Sequence, residues 1–320
     1  MLISLILLVG CCKFDQFGNT YYHNKQALEQ MLQSEYENYL EQVPGYPGGL
    51  VMKVIADGKE YFVTAGMEGK DVTEQTRFRA ASCTKTFTAT AILLLHQQGK
   101  LRISDFITDT IPGTDQTYLP DIPGCSIPHK SQITILDLLR HRAGIFDLGN
   151  DNVPDTVCVD VPYKGINYVS YVLATEPDHT FHFDELVGVL AHTRLSYFAP
   201  GSGYHYSNTG YAILGWIIER VTGMSYKEFL EEKVLKPMGM DNSYMPVLGT
   251  DRIMTSPSVN GYLFFKGDSL ELKEDNVSAQ VAEGNIVTTP DDLARFIQKL
   301  LSGKGVLNYY TVNSLMMNCL

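Results

Sequence analysis

The chain has 320 residues, with 25 Lys and Arg against 36 Asp and Glu, which gives a formal net charge of −11. A hydrophobic fraction of 44 % supports a large core and excludes an intrinsically disordered chain, while 27 Gly and 6 Cys are too few for a collagen-like or disulfide-knotted protein. Because binding to a nucleic-acid backbone needs clustered Lys and Arg, the acidic balance predicts no nucleic acid among the partners.

The first ten residues are almost wholly apolar. Such a run is too short to cross about 30 Å of hydrocarbon, so we interpret residues 1–10 as a signal-peptide core and not as a membrane span. The sequence Leu8-Val9-Gly10-Cys11 resembles a bacterial lipobox, which predicts lipidation of Cys11, export and anchoring in the cell envelope. The usual positive charge before the apolar run is missing, and the alternative is a buried hydrophobic start of a cytoplasmic protein.

Four further cysteines follow Cys11 and Cys12. They are Cys83, Cys125, Cys158 and Cys319. An oxidising compartment permits disulfides, and Cys125 and Cys158 lie in a stretch rich in Pro, Gly and Asp, so a bridge between these two stays open at this point. No Cys-x-x-Cys pair or His-x-x-x-His arrangement points to zinc, and we expect neither a metal nor an organic cofactor.

Apolar periodicity, capping residues and turn residues predict the elements along the chain. The N-terminal part is predicted to contain an amphipathic helix over 24–42, a hairpin of strands 50–56 and 60–65 about Asp57 and Gly58, and a helix over 82–99. The middle part is predicted to contain helices over 133–142, 183–192 and 209–221, and a helix capped by Ser225 and Glu228 that reaches Leu235. The last predicted elements are a hairpin of strands 261–265 and 269–272 about Gly267 and Asp268, and a helix between Thr289 and Gly303. We expect the helix over 82–99 to be buried, because it is apolar around most of its circumference. The stretch 147–177 is predicted to be irregular.

A first candidate site is the sequence Ser82-Cys83-Thr84-Lys85. Residues three apart share a helix face, so the Ser82 hydroxyl can meet the Lys85 amine at a helix N-terminus whose positive potential suits a nucleophile. Burial disfavours the charged ammonium, which would let Lys85 help to remove the Ser82 proton. A Ser-x-x-Lys match arises readily by chance, and the alternative is an ordinary helix cap in which Ser82 bonds backbone amides.

A second candidate site is Tyr206-Ser207-Asn208, which has a Pro- and Gly-containing loop before it and an apolar helix after it. A phenol and an amide two residues apart on an extended loop point to the same side. They supply a proton carrier and a group that both donates and accepts hydrogen bonds. Two other Tyr-x-Asn matches, at Tyr22 and Tyr36, are assigned to the first helix or its approach.

With these two motifs in order, the chain resembles the serine β-lactamase and penicillin-binding-protein superfamily, closest to its class C β-lactamase and D,D-peptidase-like branch, which also includes esterases. The similarity runs from Leu50 to the end, and its most specific segments are 78–100, 133–144, 200–223, 237–240 and 283–296. It implies an α+β fold of the β-lactamase/transpeptidase type, in which an antiparallel sheet flanked by helices meets a mainly helical domain at the active-site cleft.

Together with the lipobox and the first predicted helix, the resemblance predicts a division of the chain. The parts are a lipoprotein signal (1–10), a linker and N-terminal helix (11–45) and a β-lactamase-related domain (46–320), whose segments 46–80 and 281–320 lie on the sheet side and whose segment 81–280 is mainly helical.

The function expected from the resemblance is that of a serine hydrolase. Ser82 would attack an amide, lactam or ester carbonyl to form an acyl-enzyme, Lys85 and Tyr206 would share the proton transfers, and Asn208 would bind the substrate amide. The substrate would be a small molecule or a peptide, with peptides related to peptidoglycan among the candidates. A catalytically defective binding or scaffold protein of the cell envelope is the alternative.

One motif of the superfamily has no counterpart in the sequence. The third motif, Lys or His followed by a small residue and Gly, should lie on a strand after the helix that ends near Gly303, and neither Lys304-Gly305 nor His192-Thr193-Arg194 matches it. We therefore expect the C-terminal strands, with one oxyanion-hole amide, to be missing, so that the sequence is a truncated reading or a defective hydrolase. Loss of such a donor can slow a reaction about a hundredfold to a thousandfold.

Overall fold

The computed structural model describes residues 24–45, 48–67, 69–265 and 268–313. Its strands are β1 (Leu50–Ala56), β2 (Lys59–Ala65), β3 (Phe78–Arg79), β4 (Gly261–Phe265), β5 (Asp268–Leu272) and β6 (Val287–Thr288). Its helices are α1 (Lys25–Gln42), α2 (Thr84–Gln97), α3 (Ile135–Leu139), α4 (Tyr168–Thr175), α5 (Phe183–Thr193), α6 (Asn208–Thr222), α7 (Tyr226–Leu230), α8 (Lys236–Met238), α9 (Pro290–Leu301) and α10 (Tyr309–Thr311). The predicted lipidation site Cys11, together with Cys12, Cys319 and the turn residue Gly267, lies outside the described residues.

Three antiparallel strand pairs form in the described part of the chain, β1 with β2, β3 with β6, and β4 with β5. The first hairpin is confirmed, since Asp57 and Gly58 both have positive φ, as a tight two-residue turn requires. Its apolar face packs against α1, where Leu28 and Leu32 meet Val63 of β2. The amphipathic first helix is thereby also confirmed.

The other face of this hairpin carries Lys53, whose side chain is only 3 % exposed. Its ammonium lies 2.7 Å from a Glu60 oxygen, 2.6 Å from a Glu74 oxygen and 3.3 Å from an oxygen of Asp291, at the start of α9. The three carboxylates are close enough together to hold a metal ion, but the Lys53 ammonium already lies among them. Burial disfavours that charge, yet the hydrogen bonds to the carboxylates outweigh burial and raise the pKa of Lys53.

The main core surrounds α2. This helix is buried as predicted, because Phe87, Ile92 and Leu95 are at most 1 % exposed. It packs against α6 and α7, and Phe87 meets Phe296 of α9 with ring centroids 4.1 Å apart. The short strand pair of β3 and β6 joins the chain just before α2 to a segment about 200 residues later.

The structure corrects several predicted boundaries. The helix predicted over 133–142 is the shorter α3, because Arg140 leaves helical geometry and His141 takes a left-handed φ of 54°. The stretch 147–177 is not wholly irregular: its aromatic and β-branched residues form α4, which Asn167 caps. The predicted helix over 82–99 begins as a 3₁₀ turn (Ala81–Cys83), and only from Thr84 is it α-helical.

Other predictions about the elements are confirmed. Ser225 and Glu228 form the expected capping box, although the helix changes to a π-helical turn (Glu231–Leu235) before α8. Thr289 caps α9 by accepting from the Asp292 amide. Cys125 and Cys158 are free thiols, the first buried and the second exposed, so the bridge that the sequence left open is not formed. No described helix combines the length and the apolar character needed to span a membrane.

We predict that Lys53→Met lowers the free energy of unfolding by about 2–3 kcal/mol, because it removes hydrogen bonds between charged groups and leaves the buried Asp291 carboxylate without its ammonium. Urea unfolding at pH 7 measures this loss. Lys59→Met is the matched control, since Lys59 is an exposed lysine on the same hairpin. Equal stability of the two variants would contradict the role given to Lys53.

Candidate active site

The Ser82 hydroxyl is presented by the 3₁₀ turn that precedes α2. Ala81, directly before it, has a left-handed φ of 46°, a strained conformation for a residue with a Cβ. The Thr84 hydroxyl stabilises this turn, because it donates to the Ala81 carbonyl at 2.8 Å and accepts from the Ile286 amide at 3.0 Å. Ser82 is exposed, whereas Lys85, one helical turn further on, is 7 % exposed.

Tyr206 lies in the loop before α6, and Asn208 is the first residue of this helix. Ser207 caps this helix by accepting from the Gly210 amide at 3.1 Å. The carboxylate of Asp147 accepts a hydrogen bond from the backbone amide of Asn208 at 3.1 Å. It also accepts from the backbone amides of Gly149 and Asn150 and from the Asn150 side chain. The buried Asp147 therefore fixes the start of α6 and, with it, the positions of the two predicted site residues.

The structure brings all four predicted site residues together. The Tyr206 hydroxyl donates to the Ser82 Oγ at 2.8 Å, and the Lys85 Nζ donates to the same oxygen at 3.3 Å. The Lys85 Nζ also donates to the Asn208 Oδ1 at 2.7 Å. It lies 4.7 Å from the centre of the Tyr206 ring, within the range of a cation–π contact. The Ser82 hydroxyl thus has a phenol and a primary amine within hydrogen-bond reach.

His141 is a further residue of the site, which the sequence did not single out. Its ring lies between those of Tyr206 and Tyr211, with centroid distances of 4.5 and 5.0 Å. Its Nδ1 accepts from the Ser207 amide at 3.1 Å, so the ring is held with this nitrogen unprotonated. Burial lowers the pKa of His141 to about 4, and the positive charge of Lys85 adds to this effect.

Glu283 is the second residue that sequence reasoning missed. Its carbonyl accepts from the Lys85 Nζ at 2.9 Å, and its carboxyl Oε2 lies 3.4 Å from the same nitrogen. Burial raises the pKa of this carboxyl to about 8; the Lys85 ammonium opposes the rise, and the Asp147 charge adds to it. The only signal in the sequence near Glu283 is weak: an acidic residue beside a glycine, between apolar segments. The contact itself could not be read from local sequence, because Lys85 is 198 positions away.

The basic residues that begin the two sequences considered for the third motif lie on the surface. His192, in the last turn of α5, is exposed, and so is Lys304, just after α9.

The chain belongs to the Beta-lactamase family, whose sequence profile matches residues 37–314. Among curated proteins, it is 31 % identical over 238 residues to Penicillin-binding protein 4* of Bacillus subtilis (strain 168). The aligned region covers 70 % of this chain and 44 % of that protein. It is 30 % identical over 172 residues to a putative D-alanyl-D-alanine carboxypeptidase of Salmonella typhimurium, covering 53 % of this chain and 34 % of that protein. The chain thus spans less than half the length of these two relatives.

Solved structures show the same architecture. A D-stereospecific amidohydrolase from Streptomyces sp. superposes with a TM-score of 0.69 at 25 % identity, over 91 % of this chain and 77 % of that one. A penicillin binding protein from Bacillus halodurans superposes with a TM-score of 0.62 at 22 % identity, over 88 % and 76 % of the two chains. The predicted β-lactamase/transpeptidase-like fold is confirmed.

We predict that the neutral form of His141 stabilises the fold. Because its pKa is lower in the folded chain than the ordinary value of 6.5, the stabilisation is complete above about pH 6.5 and is lost as the pH falls toward 4. The variant His141→Asn removes the titrating ring, and asparagine tolerates the positive φ of this position. It should reduce the acid destabilisation by roughly 1–2 kcal/mol after allowance for solvent screening.

The measurement is urea unfolding at pH 7 and at pH 4.5. His192→Asn changes an exposed histidine and should keep the wild-type pH dependence. If both variants lose stability between these pH values as the wild type does, the effect assigned to His141 is wrong.

Proposed function

We propose that this chain is a serine hydrolase that cleaves amide, lactam or ester bonds through an acyl-enzyme on Ser82. The observation that carries the proposal is the pair of hydrogen bonds that the Ser82 Oγ receives, from the Tyr206 hydroxyl at 2.8 Å and from the Lys85 Nζ at 3.3 Å. An ordinary helix cap, the alternative for Ser82, needs neither a phenol nor a buried amine beside its oxygen.

In the first step, the Ser82 Oγ attacks the substrate carbonyl carbon, and its proton passes to the pair formed by Tyr206 and Lys85, in the state in which one of these two groups has already lost a proton. The start of the helix places positive potential where the anionic intermediate develops. Collapse of that intermediate breaks the bond to the leaving amine or alcohol, which takes the proton from the same group. Asn208, held by its bond to Lys85, has an amide N–H₂ with which to orient the substrate amide.

In the second step, water attacks the ester on Ser82. The same two side chains would remove a proton from the water and return one to the Ser82 Oγ, which releases the acid product and restores the enzyme. No cofactor takes part in this sequence, because every proton is carried by Tyr206, Lys85 or water.

We propose an amide or peptide with a D-configured residue as the substrate class. The support is the names of the related proteins, a D-stereospecific amidohydrolase at 25 % identity and putative D-alanyl-D-alanine carboxypeptidases at 30 % identity. The exposed Ser82 and the 36 % exposed Tyr206 leave the reacting oxygen open to a peptide end. Hydrolysis of D- and L-alanine p-nitroanilide, compared side by side, tests this stereochemical preference.

A fluorescent fluorophosphonate should label the 320-residue chain at Ser82, because the reagent needs only an activated hydroxyl. Ser82→Ala should abolish the label, and Lys85→Ala and Tyr206→Phe should each slow labelling by at least about a hundredfold, since both groups carry protons. The measurement is the labelling rate by gel fluorescence, with the labelled residue located by mass spectrometry.

Tyr204→Phe is the matched control, since Tyr204 is 66 % exposed and forms no part of the proton path. It should keep the wild-type rate. Labelling that persists in Ser82→Ala would overturn the assignment of the nucleophile. A wild-type chain that folds but is never labelled would favour the alternative, a binding or scaffold protein of the cell envelope.

We further propose that the protein is exported and anchored by a lipid on Cys11, on the support of the sequence Leu8-Val9-Gly10-Cys11. Radiolabelled palmitate should enter the chain expressed in a bacterium, and the protein should sediment with membranes. Because Cys12 is adjacent, the double change Cys11→Ser with Cys12→Ser should remove both properties, whereas Cys158→Ser should remove neither. A soluble, unlabelled protein that retains Met1 would refute the anchor.

A further inference from the structure

The Lys85 ammonium has more hydrogen-bond acceptors around it than it has protons to donate. It carries three N–H groups, and four oxygens lie within reach. The two nearest are the Asn208 Oδ1 at 2.7 Å and the Glu283 carbonyl at 2.9 Å. The other two are the Ser82 Oγ at 3.3 Å and the Glu283 Oε2 at 3.4 Å. The nucleophile and the Glu283 carboxyl therefore compete for the third N–H at almost equal distances.

The backbone holds Glu283 in this place. Ala282, the residue before it, has a left-handed φ of 72° and is fully buried. The Ala282 carbonyl accepts from the Thr88 hydroxyl at 2.6 Å, which ties the loop to α2. The amides of Glu283 and Gly284 both donate to the Gln280 carbonyl, at 3.0 and 2.7 Å. The chain turns sharply here, so that the carbonyl and the carboxyl of one residue reach the same ammonium.

The surroundings of the Glu283 carboxyl make its charged form unfavourable. Its side chain is 8 % exposed, and it borders a cavity of about 10 Å³, which has room for no more than one water. The charged groups that face it in the described chain are Lys85 on α2 and Asp147 in the loop between α3 and α4, while Asn208 on α6 is its uncharged neighbour. Among the described residues, Lys85 is the positive charge that faces an anion here, and burial raises the pKa of Glu283 to about 8.

We propose that Glu283 is a positioning residue: when its carboxyl loses a proton, the carboxylate draws the Lys85 ammonium away from the Ser82 hydroxyl and stabilises its charge, so that Lys85 takes the Ser82 proton less readily and acylation slows. The Glu283 O–H bond breaks and its proton passes to solvent water, and no bond between heavy atoms forms or breaks. A carboxylate is the stronger acceptor, because charge-assisted hydrogen bonds are shorter and about twice as strong as neutral ones. The inference rests on the proposed function, since it concerns the step in which Ser82 is acylated.

The first test is the pH dependence of Ser82 labelling by a fluorophosphonate between pH 6 and 10. The wild-type rate should fall about tenfold for each pH unit above 8, if the ionised form is inactive. Glu283→Gln keeps the size and an acceptor but cannot ionise, so its rate should show no such fall. Glu219→Gln is the matched control, because Glu219 on α6 is another carboxyl whose pKa burial raises; it should keep the alkaline decline.

The second test does not depend on activity. The infrared band of a protonated carboxyl should disappear in the wild-type chain between pH 6.5 and 9.5, and the part of this change that belongs to Glu283 should be absent in Glu283→Gln. Circular dichroism checks that the variant folds, and Glu283→Met, of similar size, replaces it if it does not.

The outcomes separate the two proposals. An alkaline decline that survives in Glu283→Gln, or equal infrared changes in wild type and variant, would overturn the role of Glu283. A wild-type chain that shows the infrared change but is not labelled at any pH would instead overturn the proposed function, and the acylation role of Glu283 with it.

Discussion

The site depends on one buried cation. The Lys85 ammonium binds the Asn208 side chain at the start of α6 and the Glu283 carbonyl before β6, and it reaches the Ser82 hydroxyl ahead of α2. An unpaired charge in such a buried position would cost several kcal/mol. The hydrogen bonds that offset this cost therefore also require three distant parts of the chain to meet, and they set the position of the Ser82 hydroxyl at the same time.

Strained backbone accompanies this arrangement at three residues. Ala81, His141 and Ala282 all have left-handed φ, which costs an L-residue on the order of 1 kcal/mol or more. Each of their carbonyls accepts a hydrogen bond, from the Thr84 hydroxyl, the His205 amide and the Thr88 hydroxyl respectively. The strain is tolerated because the surrounding contacts leave the loops no relaxed alternative, and it turns three chain segments toward one point.

The hairpin of β1 and β2 is attached to the rest of the molecule in a different way. Its apolar face forms a small cluster with α1, separate from the main core. On the opposite face, Lys53 forms an ion pair with Asp291 of α9, and Phe296 and Leu300 of this helix belong to the main core. Two hydrophobic cores are thus connected through an ion cluster at the N-terminus of one helix, where carboxylates are also favoured by the helix dipole.

Local patterns determined many of the elements and one of the contacts in the candidate site. The Asp57-Gly58 turn, the Ser225 capping box and the apolar run of α2 depend on neighbours within a few residues, so the sequence alone predicts them. The three-residue spacing of Ser82 and Lys85 likewise implied their contact.

Tertiary structure decided what local patterns do not contain. The helix predicted beyond Leu139 ends because His141 is held left-handed against Tyr206, and α4 forms although its residues favour a strand. Glu283 joins the site through contacts with a residue 198 positions earlier. No periodicity or motif reports such a contact, because it follows from how helices and loops pack, and packing is a property of the whole chain.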